Sequence, residues 1–167
     1  PLRNPSREKC LRPTAGCDPY DPVIAALAEK LDVNRLSKRE FAERAFEFVK
    51  NEIKFCQEWP TGGVAVTLKA GYGYCVHKFS VLIALARYAG IPARYCFVAS
   101  YYTDQIAITP HDFLGIATAE LNFVRGYAEL YLDDEWVIAD AAWDDDLVVG
   151  MDLPIAQLGL DPDKTLG

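Results

Sequence analysis

The chain has 167 residues, 51% of them hydrophobic and 12% aromatic, which suffices for one domain with a proper core and is too apolar for a disordered segment. Its formal net charge of −7 argues against nucleic acid or an anionic membrane surface as a partner. No apolar run reaches the length needed to span a bilayer, and no signal peptide is readable, although a start at Pro1 leaves room for a removed leader.

Residues 1–20 are rich in Pro and charge and lack an apolar period, so they read as an arm on the surface. Asp21-Pro22 predicts a helix start, an N-cap Asp followed by Pro at the first helical position. Val23, Ala26, Leu27 and Leu31 then fall at helical spacing. Ser37 and Glu40 form a capping box for a second helix, whose buried stripe is read as Phe41, Ala45, Phe48 and Val49. Residues 55–66, with Pro60, Gly62 and Gly63, read as a loop leading to Thr67-Leu68-Lys69-Ala70.

Next comes Gly71-Tyr72-Gly73-Tyr74-Cys75, then a long apolar run from Phe79 to Ala89. The pattern predicts a tight turn and a central helix opened by Cys75, with His77, Ser80 and Arg87 as its polar side and Gly90 and Pro92 as its stop. A helix N-terminus carries partial positive charge and unpaired N–H groups, so a thiol placed there loses its proton more easily. Cys75 is therefore a candidate nucleophile; the plain alternative is a structural thiol in an apolar helix. Residues 93–100 alternate and read as a strand. Residues 127–132 and 136–140 read as a hairpin around Asp133-Asp134-Glu135. Residues 101–124 give no clear pattern, and residues 148–167 read as a tail. The expected organisation is an arm (1–20), one α+β domain (21–147) and the tail (148–167).

Cys10, Cys17, Cys56, Cys75 and Cys96 are odd in number and irregular in spacing. They do not read as a disulfide framework, although a Cys10–Cys17 bridge is conceivable. With two histidines and no C-x-x-C or H-E-x-x-H pattern, no metal site and no cofactor are expected. A reducing, cytoplasmic setting fits this cysteine usage best.

The segment GYGYCVHKFSVLIALARYAGIPARY resembles the core motif of the transglutaminase-like superfamily, and RGYAELYLDDEWVIADAAWD resembles its second and third motifs. The resemblance runs from about residue 22 to residue 144. It implies a papain-like core: N-terminal helices and a central Cys-bearing helix on an antiparallel sheet. It also implies a Cys–His–Asp triad, with Cys75 as nucleophile and Asp140 as the residue that orients the base. The family's histidine lies four residues before the strand Glu, here Glu129, and that position holds Arg125. Arginine stays protonated, so it cannot shuttle a proton. It can favour a thiolate by its charge or hold a substrate anion, or it can simply pair with Asp140 in a retired site.

Two histidines could replace the missing one. His77 lies about 200° around the helix from Cys75, which turns its ring away, and His111 sits in the unreadable stretch. By strand parity Arg125, Tyr127, Glu129 and Tyr131 share one face, as do Trp136, Ile138 and Asp140 on the next strand, so Arg125 and Asp140 can both face the Cys75 helix. Tyr127, Tyr74, His111 and Trp59 are candidate substrate contacts. Three functions follow. The first is acyl transfer or hydrolysis at Cys75, favouring thioester-like donors of a small molecule, with a protein or peptide as the other acceptable substrate. The second is a repurposed enzyme catalysing cyclisation, elimination or isomerisation of an anionic small molecule. The third is a non-catalytic binding module.

Overall fold

A computed structural model describes residues 5–58, 60–101 and 122–160, with backbone alone at 98–101 and 122–125. Beside a 3-10 turn at Lys9–Leu11, five α-helices are described: α1 (Pro22–Lys30), α2 (Lys38–Glu52), α3 (Val64–Ala70), α4 (Cys75–Tyr88) and α5 (Asp145–Gly150). The strands are β1 (Lys54–Phe55), β2 (Tyr72–Gly73), β3 (Ala93–Tyr101), β4 (Asn122–Leu132) and β5 (Glu135–Ala139). Strands β3, β4 and β5 form an antiparallel sheet in that order, and β1 pairs with β2 in a short parallel ladder.

Helix α4 is the axis of the domain. Phe79 and the run from Val81 to Leu85 are 0% exposed, as an all-round apolar helix requires. Helices α1, α2 and α3 pack around it, and β3 and β4 pack against it from the sheet. The face of the sheet turned inward carries Ala128, Leu130, Leu132, Val137 and Ala139, all buried.

Several predicted signals operate as read. The Asp21 side chain accepts from the Val23 amide at 2.9 Å with Pro22 behind it. Ser37 and Glu40 close a reciprocal capping box that supplies partners for orphan N–H groups of α2. Gly90 takes a left-handed φ of 69° just beyond α4. The β4–β5 turn is tighter than expected: Asp133 and Asp134 both have positive φ, and Glu135 already pairs with Leu132.

Other expectations change. The buried face of α1 is Ile24, Leu27 and Ala28, with Leu31 just after it, while Val23 is 43% exposed. In α2 the buried aromatic beside Phe41 is Phe46, whereas Phe48 is half-buried. The stretch read as a loop holds Phe55 of β1 and the first turn of α3, from Val64 to Val66. The arm is not a surface strap: Cys10 and Cys17 are buried, and the Arg87 guanidinium donates to the Arg12 carbonyl at 2.7 Å. Helix α5 crosses the expected 147/148 boundary, and beyond it the Gly159 amide donates to the Ile138 carbonyl at 2.8 Å.

Candidate active site

Cys75 is the first residue of α4, with Tyr74 as N-cap in extended conformation. The turn before it is fixed from both sides. Gly71 ends α3 in the left-handed region and its carbonyl accepts from the Lys54 amide at 2.9 Å; the Gly73 carbonyl accepts from the Cys56 amide at 3.0 Å. A Cβ on Gly73 would lie 2.8 Å from the Cβ of His77, so only glycine lets the first turn of α4 close over β2. His77 is half-buried in that contact, and burial lowers its pKa, which favours neutral imidazole.

Strand β3 runs back along α4 toward Cys75. Arg87, near the helix end, donates to the carbonyl of Ala93, the first strand residue, and the Tyr95 hydroxyl donates to Ser80 at 2.8 Å, closer to the Cys75 end. Pairing then brings Gly126 opposite Phe97, and Arg125 opposite Val98, toward that end. Strand β5 finishes there too: Ala139 pairs with Ala128, and Asp140 is the next residue. Asp140 is 4% exposed, and its carboxylate accepts from the Ala142 amide at 3.3 Å. Trp143 packs on Phe55 at 6.2 Å between ring centroids, and Phe55 packs on Tyr74 at 5.6 Å. This aromatic chain connects the segment after Asp140 to the N-cap of α4.

One end of the domain therefore gathers Cys75, Tyr74 and Asp140, with the half-buried Tyr127 packed against the core. The backbone of Arg125 lies on β4 at this end, but its side chain falls outside the described residues, as do Trp59 and His111 altogether. Strand parity does not turn Glu129 toward α4 as expected. Its carboxylate accepts from Arg94 at 2.7 Å and from the Cys96 thiol at 3.1 Å, on the opposite side of the strand from buried Ala128 and Leu130. The Arg94 guanidinium stacks 4.0 Å from the Trp136 ring on that same side.

The thiols divide by environment. Among the described residues they form no disulfide, which removes the Cys10–Cys17 bridge. Burial raises the pKa of Cys10, and burial pushes that of Cys17 up to about 11. Burial and the Glu129 carboxylate together raise Cys96 to about 12. All three are thereby held as thiols. Cys75 is half-buried at the mouth of the turn.

Sequence reasoning missed Lys78. It belongs to α4, whose polar side reads as His77, Ser80 and Arg87, yet it is 0% exposed and donates to the Lys50 carbonyl at 2.9 Å. Its spacing three residues after Cys75 was visible; its burial was not. Among the described residues no cluster of His, Cys, Asp and Glu could hold a metal ion, and no helix is long and apolar enough to cross a membrane.

The family model of the transglutaminase-like superfamily matches residues 25–141. Among curated proteins none matches. The fold is similar to the "Putative Cysteine Protease" of Cytophaga hutchinsonii, with TM-score 0.60 and 19% identity over 84% of this chain and 43% of that one. It is also similar to the periplasmic domain of TgpA from Pseudomonas aeruginosa. Bound to ethylmercury, that domain gives TM-score 0.56 and 20% identity, over 81% of this chain and 48% of that one. A second structure of the domain gives TM-score 0.55 and 19% identity, over 81% and 46%. This chain thus spans less than half the length of those solved chains. With a Cys-headed central helix on an antiparallel sheet, and a motif match covering most of its length, the chain belongs to the transglutaminase-like superfamily.

Proposed function

We propose that the chain is a cysteine-dependent acyltransferase or hydrolase working through Cys75 and favouring thioester-like donors. The observation that carries this reading is the placement of Cys75 as the first residue of α4, at the end of the sheet where β5 gives way to Asp140. The helix N-terminus favours the thiolate and offers N–H groups to a developing oxyanion. The Cys75 thiolate attacks the acyl carbonyl, and the tetrahedral adduct collapses by expelling the donor's thiolate to leave an acyl-enzyme. Water or an amine then attacks the acyl group, its proton passing to the expelled donor thiolate or to solvent, and the Cys75 thiolate is released. A leaving thiolate needs little protonation, whereas an amide's amine needs a general acid. Arg125, which stands four residues before Glu129, cannot supply that proton. Its fixed charge suits an anionic group on the substrate.

The test is intact-mass measurement of the full chain after exposure to a small acyl thioester. The expected result is one added acyl group, absent in Cys75→Ala. Turnover of a small carboxylic acid without any covalent adduct would replace this reading with the repurposed enzyme, which the charge of Arg125 also suits. Binding without turnover would favour the non-catalytic module. The substrate in this proposal is a small molecule or a thioester-borne acyl group, with a peptide as the alternative. Five cysteines without a disulfide suit a reducing compartment, so cytoplasmic residence is part of the proposal, to be checked by fractionation.

A further inference from the structure

We propose that Lys78 is a positioning residue that couples the Cys75 helix, through the C-terminus of α2, to the segment bearing Asp140. A lysine is rarely buried outright unless something requires it, and a methionine would fill the same space. Lys78 and Cys75 are three residues apart on α4, so they are neighbours on one face. The Lys78 Nζ donates to the Lys50 carbonyl at 2.9 Å. That carbonyl is among the last four of α2, which lack a partner within the helix, and a cation suits the negative end of the helix dipole.

The other side of the same junction holds residues 144–146. The Lys50 Nζ, itself 2% exposed, lies 3.0 Å from the Asp145 carboxylate and donates to the Ala156 carbonyl at 3.1 Å. Asn51 donates to the Asp145 carboxylate at 3.1 Å and accepts from the Asp145 amide at 3.0 Å. The Phe55 amide and Lys54 Nζ both donate to Asp144, at 3.1 and 3.2 Å. Residues 50–55 are thus fastened to α4 by one buried amine and to the stretch just after Asp140 by a set of polar contacts. The β1–β2 ladder ties the same segment to the turn before Cys75, so removing the amine loosens the junction on its α4 side without severing it. The charges that face Lys78 are Asp144 and Asp145, which attract its ammonium, and Lys54 and Lys50, which repel it. Burial, only partly countered by Asp144, brings its pKa down to about 7.

The inference rests on Cys75 and Asp140 being the working groups, and its test separates the two claims. Lys78→Met removes the donor, and Lys78→Gln keeps a shorter, neutral one. Hydrogen–deuterium exchange on the full chain is expected to show residues 140–146 of Lys78→Met exchanging about tenfold faster, with the middle of α4 and β4 unchanged and Gln intermediate. On a small acyl thioester, kcat is expected to fall about tenfold with KM within about twofold. Unchanged exchange at 140–146, uniformly faster exchange throughout, or local loosening with unchanged kcat would each overturn the proposal. Should Lys78→Met fail to fold, Lys78→Gln carries the same reading. Should the parent never acylate, the acyl-transfer reading falls, and the exchange pattern still decides the role of Lys78.

Discussion

Cys75 and Cys96 are both half-buried thiols of one small domain, and their surroundings oppose each other. Cys96 lies on β3 with its S–H donating to the Glu129 carboxylate at 3.1 Å, and burial together with that neighbour raises its pKa to about 12. Cys75 stands at the positive end of α4, directly after the Gly71–Gly73 turn. The difference teaches that two thiols of similar exposure can stand in opposite local fields. Under the proposed function it is this difference of field, a carboxylate at Cys96 against a helix N-terminus at Cys75, that would set the two apart.

The sharpest way to break the comparison is to delete the sulfur. Cys75→Ala should lower thioester turnover at least about a thousandfold, while Cys96→Ala should leave it within about twofold, read by acid release. Next in size is Arg125→His. With Asp140 present to orient the imidazole, hydrolysis of peptide substrates should rise about a hundredfold or more, because general acid–base catalysis becomes available. No gain would mean that the rest of the site no longer supports a triad. A third measurement ranks the thiols by iodoacetamide labelling across a pH series. Cys75 should label first and Cys10, Cys17 and Cys96 slowly, and Glu129→Gln should speed Cys96 about tenfold without altering Cys75.

The smallest effect concerns stability. The folded-state pKa of Lys78, about 7, lies below its ordinary 10.5. Between those values the unfolded chain binds the extra proton, so this group's contribution makes stability rise with pH from about 7 toward 10. Below that window its charging cost is fully present. The Tm of the parent should therefore climb across this range by a few degrees more than that of Lys78→Met. Equal slopes would mean that Lys78 keeps its ordinary pKa.

Local signals were readable wherever they complete themselves within a few residues. Asp21-Pro22, the Ser37–Glu40 box, the Gly90 stop and the acidic hairpin turn all satisfy backbone groups of their own segment, so the sequence discloses them. Cys75 was readable for the same reason. Facts decided by distant partners were not. The inward face of α1 is set by what α4 presents, which moved its burial from Val23 to Ile24. Helix α3 was hidden because its N-cap is Gly63 with no side-chain bond. Arg87 looked like a surface charge, yet its guanidinium satisfies the Ala93 and Arg12 carbonyls, contacts that exist only once the arm has folded back. Glu129 had the right position for the family's strand Glu, but nothing local foretold Arg94 and Cys96 as its partners.

The parallel ladder of β1 with β2 is only two residues long, Lys54 with Tyr72 and Phe55 with Gly73. It holds the Cys75 turn by main-chain hydrogen bonds, which every residue but proline can donate. The side chains of Lys54 and Tyr72 are therefore not what sets the height of the sulfur above the sheet. Tyr72 can change in size or charge without touching that ladder, whereas the Lys54 side chain also holds Asp144 and Asp146. Gly73 has no such freedom. The main chain thus fixes where Cys75 stands, and the rim around it is left to the side chains.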